Sequence, residues 1–252
     1  MKDLPTIAVF FDVDNISSRY AKAILDEVAS EGRIVVKRAY GNWTKGNLTS
    51  WLDVLEELAI HPYQQTDYVS GKNASDMALT IDAMDCLYQD KFDIFVVVSS
   101  DSDFTPLAMR LHESGATVIG VGNGTTKKSL RNACDRFILL DNLHPAEPEA
   151  EQKETCPATK PPLQAPSPEE LNNLHSMLEK AWEMYQDDDD ICNVCSANSY
   201  LRRVQPDFDP RSYGAKSLPA LIEKFPQRYE ISRRPGKGTV TIVGYRCLTR
   251  KA

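Results

Sequence analysis

The stretch FDIFVVVSSDSDF, Phe92 to Phe104, decides the fold. Its first half, Ile94 to Val98, is an unbroken apolar, β-branched run, short enough for a strand and too continuous to face water on either side. It then turns polar at once through Ser99, Ser100, Asp101, Ser102 and Asp103. A strand buried on both faces belongs in a parallel sheet, and open α/β sheets keep their ligand sites at the carboxyl ends of their strands. Two carboxylates one residue apart, with hydroxyls around them, form an oxygen-rich corner suited to a hard divalent cation. The same residues suit a cap for a helix starting near Thr105, with Asp103 as the capping group. The segment alone leaves both readings open.

A second strand ends in the same way. Thr6 to Phe11 is a short apolar run followed by Asp12, Val13, Asp14 and Asn15. A chain that twice drives a buried strand into a carboxylate pair can bring both pairs to one sheet edge.

Outward from these two strands, helical spacing predicts a helix through Ala21, Ile24, Leu25 and Val28. A strand over 34–39, a loop at Tyr40-Gly41-Asn42 and a helix over 48–58 follow, then an extended piece at 61–66. Gly71-Lys72-Asn73-Ala74-Ser75-Asp76 opens another helix, with Asp76 in its first turn, where the helix dipole favours an anion. Asp82 and Asp85 on that helix read as solvated surface. A helix over 106–113, a strand over 116–121, a helix over 129–134 and a strand over 137–140 complete the alternation. Strand and helix in turn predict a doubly wound α/β domain with a parallel sheet over residues 1–144.

Pro145 to Pro168, rich in proline, alanine and acids, reads as a semi-extended linker. Residues 169–252 form a second unit. It comprises an amphipathic helix from Leu171 to Trp182, an acidic surface loop at Asp187–Asp190 and helices over 195–204 and 218–225. Two strands, 229–231 and 239–243, are joined by Arg233-Arg234-Pro235-Gly236-Lys237-Gly238. Three helices and a basic hairpin make a winged-helix pattern whose cations could meet phosphates.

With 252 residues, 42% hydrophobic and 26% charged, the chain has the composition of a globular protein rather than a disordered one. No apolar run approaches the ~20 residues of a membrane helix. The start lacks a signal-peptide pattern, so a cytoplasmic protein with free thiols and no membrane partner is expected. Cys192 and Cys195 form a CxxC without a second pair or a partnering histidine, which reads as helix surface rather than zinc site. The net charge of −7 conceals an asymmetry: residues 1–145 carry 14 Lys and Arg against 20 Asp and Glu, residues 200–252 carry 12 against 4. An acidic body with a basic end suggests a catalytic or metal-binding part joined to a part that meets a polyanion.

FFDVDNI at 10–16, KNASD at 72–76 and VSSDSDF at 98–104 together resemble the NYN domain, a branch of the PIN-like metal-dependent ribonucleases. SYLRRVQPDFDPRSYGAKSLPALIEKFP at 199–226 resembles a LOTUS (OST-HTH) domain, with Ala215 standing where the family signature has an aromatic residue. The first resemblance implies a PIN-like, Rossmannoid fold and an endoribonuclease using Mg²⁺ or Mn²⁺. Its acidic site would be Asp12, Asp76, Asp101 and Asp103, supported by Asn15, Ser100 and Asp14, with Lys72 on a phosphate. The second implies a module that recruits RNA or a protein partner, through Arg202, Arg203, Lys216, Arg233, Arg234 and Lys237 if the ligand is RNA. PIN-like domains also often form homodimers. Two other classes stay open: a non-catalytic RNA-binding adaptor on the same folds, and a haloacid-dehalogenase-like phosphatase, which the Asp12-Val13-Asp14 opening fits loosely.

Overall fold

A computed structural model describes residues 4–44, 46–65, 74–143, 166–235 and 241–248. The chain divides into two compact units, residues 1–155 and 156–252.

In the first unit, β1 (Thr6–Asp12), α1 (Ala21–Val28), β2 (Arg33–Gly41), α2 (Thr49–Glu57), β3 (His61–Gln64) and α3 (Ala74–Tyr88) come first. They are followed by β4 (Ile94–Val98), α4 (Thr105–Glu113), β5 (Thr117–Gly122), α5 (Lys128–Asn132) and β6 (Arg136–Leu139). The strands form one sheet in the order β3-β2-β1-β4-β5-β6 with every neighbour parallel. The chain starts at the centre, steps outward through β2 and β3, then returns across α3 to step outward the other way. Because parallel crossovers are right-handed, this reversal puts the two sets of helices on opposite faces.

The two cores follow from the period-2 alternation of strands buried on both sides. Ile7, Val9 and Phe11 of β1 face α1 and α2, packing with Ile24, Val28 and Trp51. Ala8 and Phe10 face the other way, with Leu79 of α3 and Leu107 and Leu111 of α4. Burying one such large side chain contributes roughly 1.5–3 kcal/mol. Any one-residue slip of β1 would exchange the two faces.

The reversal of strand order falls between β1 and β4, where the register pairs Phe11 with Val98. Asp12 and Ser99 therefore leave the sheet side by side, at the crevice where open α/β sheets bind ligands. One expectation is corrected on the far side: Tyr40 and Gly41 belong to β2, paired with Tyr63 and Gln64, rather than to a loop. The Gly-Asn turn signal is overridden by the added strand, which satisfies their backbone groups.

The second unit contains α6 (Pro168–Tyr185), β7 (Cys192–Asn193), α7 (Val194–Val204), α8 (Leu218–Ile222), β8 (Tyr229–Pro235) and β9 (Thr241–Cys247). Its antiparallel sheet runs β7-β9-β8. Ser167 starts α6 with a capping box closed by Glu170, so the helix begins one residue inside the stretch that composition gave to the linker. Leu174, Leu178, Ala181, Leu201, Leu221 and Tyr245 meet in its core, and the Tyr245 hydroxyl donates to the Leu178 carbonyl at 2.7 Å. Gly214 takes φ 69°, a conformation glycine adopts without strain, and turns Ala215 inward to 6% exposure. Cys192 is fully buried in β7, not on a helix surface, whereas Cys195 is exposed. Among the described residues, no helix is long and apolar enough to cross a membrane.

A carboxylate cluster at the strand crossover

Asp12 is the last residue of β1 and is 1% exposed. Its Oδ2 accepts from Asn15 Nδ2 and from Ser99 Oγ, both at 2.6 Å. Its Oδ1 is buried with no hydrogen-bond partner. Burial pushes the Asp12 carboxyl above the ordinary carboxylate range, opposed by the Ser99 and Asn15 bonds and reinforced by Asp14 and Asp101.

Ser99 is also fully buried and carries two jobs at once. Beyond donating to Asp12, its Oγ accepts the Asp101 N–H at 3.0 Å. It thereby joins the end of β1 to the start of the acidic turn after β4. Asp101 caps that turn, its Oδ1 accepting the Asp103 N–H at 2.9 Å. Asp101 is thus the cap, and Asp103, expected in that role, is the more exposed group. Ser100 Oγ accepts from the Asn123 N–H at 3.0 Å, bracing the loop after β5 rather than touching Asp12.

Asp76 reaches the same place from the first turn of α3. Its carboxyl is pushed up to about 6, first by burial and then by Asp12, Asp101, Asp14 and Asp103. All four of these charged neighbours are acids, drawn from the segments that end β1 and follow β4. Asp14 stands at the rim, accepting from Ser75 Oγ at 3.3 Å. Among the described residues, no three His, Cys, Asp or Glu side chains already meet at one coordination point. Unneutralised carboxylates repel, which favours such a splay. A buried carboxylate oxygen without a donor, on a carboxylate with Asp14, Asp76 and Asp101 nearby, is nevertheless the kind of group a hard divalent cation satisfies.

The family resemblance implied Asn15, Ser100 and Asp14 as supports and did not single out Ser99. Its signal is the pairing of Phe11 with Val98, which requires the strand order. Lys72 and Lys237 lie outside the described residues.

The remaining basic candidates sit in the second unit. Arg233 and Arg234 lie within β8 rather than in the turn, and both are ion-paired. Arg233 meets Glu223 at 2.5 Å; Arg234 meets Asp189 at 2.8 Å and Asp187 at 3.4 Å. The 187–190 loop is therefore not plain solvated surface. Asp187 also caps the turn through the Asp189 and Ile191 N–H groups. These ion pairs are half exposed and worth ~0.2–1 kcal/mol, weak enough to be exchanged for a phosphate. Arg203 of α7 donates to the Tyr185 hydroxyl at 2.6 Å, Arg202 lies partly buried beside it, and Lys216 is exposed just ahead of α8.

A doubly wound parallel sheet with acids gathered at its strand crossover is the architecture of PIN-like nucleases. The NYN domain model matches residues 6–141, and the chain belongs to the NYN domain family. The OST-HTH/LOTUS domain model matches residues 167–241, a domain type that points to RNA binding. Among solved structures, the chain is similar to a protein of unknown function from Vibrio parahaemolyticus, at 18% identity and TM-score 0.48 over 57% of this chain and 99% of that one. It is also similar to an uncharacterized protein from Nitrosomonas europaea, at 25% identity and TM-score 0.31 over 41% and 96%. No curated protein matches the chain.

Proposed function

We propose that the protein is a divalent-metal-dependent endoribonuclease whose C-terminal unit holds the RNA. The observation that carries this reading is the Asp12 carboxylate, buried at the crossover with one oxygen lacking a donor and with two further acidic segments close by. Asp12, Asp76, Asp101 and Asp103 would hold Mg²⁺ or Mn²⁺. Such an ion acidifies nearby water and neutralises charge growing on the leaving 3′ oxygen.

The chain's own groups do the positioning. Ser99 and Asn15 fix one Asp12 oxygen and leave the other without a donor. Asp101 is held by its turn and by Ser99. Without a cation this cluster repels a phosphate backbone, so RNA binding and ion binding should be coupled. The basic residues of the second unit, Arg202, Arg203, Lys216, Arg233 and Arg234, supply attraction from outside the cluster. Lys72 and Lys237, by resemblance and charge, would add to it.

The test is incubation of labelled RNA with Mg²⁺, Mn²⁺ or EDTA. Cutting with either ion and none with EDTA is expected. RNA bound but intact under all three conditions would move the protein to the class of non-catalytic RNA-binding adaptors.

A further inference from the structure

Beside the acid cluster, between β3 and α3, lies a cavity of about 480 Å³. Its floor is apolar: Met77 and Ile81, four residues apart on one face of α3, are 61% and 55% exposed. One wall is the Tyr63 ring. That ring stacks on the buried Tyr40 at 5.2 Å and 27°, meets His61 edge-on at 5.0 Å, and has the Arg38 guanidinium 5.4 Å from its centroid. Arg38 is in turn fixed on Asp82 at 2.6 Å. The aromatic wall is thus anchored in the core rather than mobile on the surface.

The polar rim consists of Gln65, Asp82 and Asp85. Asp82, expected as solvated surface, is 19% exposed, and its two oxygens are taken by Arg38 and the Tyr40 hydroxyl. Asp85 is exposed and makes no side-chain hydrogen bond or ion pair among the described residues, leaving an acceptor-only group at the mouth.

We propose that this slot is a base-binding subsite, taking one unstacked nucleobase, guanine foremost, from an RNA strand whose phosphate lies at the acid cluster. This rests on the RNA reading given above. An apolar floor and a fixed aromatic wall suit the flat faces of a base, as in recognition of single-stranded RNA. A carboxylate at the rim accepts hydrogen bonds only, and guanine presents N1–H and N2–H side by side, whereas uracil presents a single N–H there. The slot also adjoins the cluster along α3, its lining including Ala74 and Met77 on either side of Asp76 in sequence. Met77 follows Asp76 directly, and at 1.5 Å per residue Ile81 lies only ~7 Å further along the helix axis. A second copy of the chain is the poorer occupant, since a symmetric contact would set Asp82 and Asp85 against the same acids of its partner.

The test uses the full chain in Mg²⁺, which lifts the cluster's repulsion of phosphate, with short fluorescent oligoribonucleotides whose phosphorothioate linkages suppress cleavage and which differ only in one guanosine or uridine. The wild type should prefer the guanosine oligomer by about tenfold or more. Asp85→Ala, at an exposed site that leaves the fold intact, should erase most of the preference by weakening the guanosine oligomer far more than the uridine oligomer. A 6-thioguanosine oligomer should photocrosslink to peptides carrying Tyr63 or Met77. Equal affinity of the wild type for both oligomers, a preference surviving Asp85→Ala, or crosslinks confined to residues 166–248 would overturn the subsite. Guanosine preference without metal-dependent cutting would leave the subsite standing and remove only the nuclease reading. Cutting without preference would do the reverse.

Discussion

Replacing Asp76 by Asn should make the protein more stable while disabling it. The Asp76 carboxyl is raised from 3.8 to about 6 by burial and four acidic neighbours, so its charged form is disfavoured in the folded state. At ~1.36 kcal/mol per pH unit the shift has a ceiling of about 3 kcal/mol at neutral pH. Partial exposure and solvent screening reduce this to roughly 1–2 kcal/mol. One effect opposes it: a carboxylate in the first turn of α3 gains ~0.3–1 kcal/mol from the helix dipole, which Asn forgoes. The combined penalty of burial and like charges is the larger, leaving a net gain near 1 kcal/mol, or a rise of about 2–4 °C in Tm.

The pH dependence follows from the sign of the shift. A carboxyl whose folded pKa is raised contributes stability that is present below its unfolded pKa and lost as pH rises through about 6. Wild type and Asp76→Asn should therefore differ at pH 7 in EDTA and converge near pH 4. Millimolar Mg²⁺ should then stabilise the wild type more than the variant, because only an intact cluster binds the ion well. Thermal unfolding followed by circular dichroism, with and without Mg²⁺, reads all of this. A variant less stable than wild type at pH 7 in EDTA would refute the crowding of acids at this site. Equal stabilisation of both proteins by Mg²⁺ would refute its role in holding the ion.

Ser99→Ala should destabilise the protein by about 1–3 kcal/mol in urea unfolding, because a buried carboxylate oxygen loses a donor while Asp101 loses its tie; an unchanged midpoint would show that the bond does not matter. Gly120→Ala should cost roughly 1–3 kcal/mol, since a Cβ there would meet the Phe137 ring at 2.5 Å and Cys134 Sγ at 2.8 Å; the same denaturation series checks it. His175 in the second unit is 7% exposed, with Nδ1 3.0 Å from the Tyr229 hydroxyl, and burial lowers its pKa. Its contribution to stability should be present at pH 7.5 and lost as pH falls through the folded pKa, and His175→Phe should flatten that slope in chemical denaturation at pH 7.5 and 5.

The buried strands were legible because an apolar run that faces helices on both sides leaves no polar alternation to misread. Asp12, Asp101 and Asp103 stood out as candidates because each stands where such a run abruptly turns acidic, whereas Asp76, a first-turn acid on a helix, joined them only through the family resemblance. What joins them was not legible. Ser99 touches Asp12 across 87 positions of sequence, a contact made by strand order and register that spacing along the chain does not contain. The pairings of Arg234 with Asp187 and of Arg38 with Asp82 were hidden in the same way, each spanning more than 40 residues. In β2, the Gly41-Asn42 turn signal lost to the paired edge strand. Local patterns locate groups that end an element; only the assembled sheet says which of them meet.

The most direct test is single-turnover cleavage of a circular RNA, which has no ends to attack, by the wild type beside Asp101→Asn and Asp76→Asn, each confirmed as folded. The account predicts that the wild type linearises the circle with Mn²⁺ or Mg²⁺ and not with EDTA, and that each variant is slower by roughly 10²-fold or more. Equal rates for all three proteins, or cutting that persists in EDTA, would contradict it.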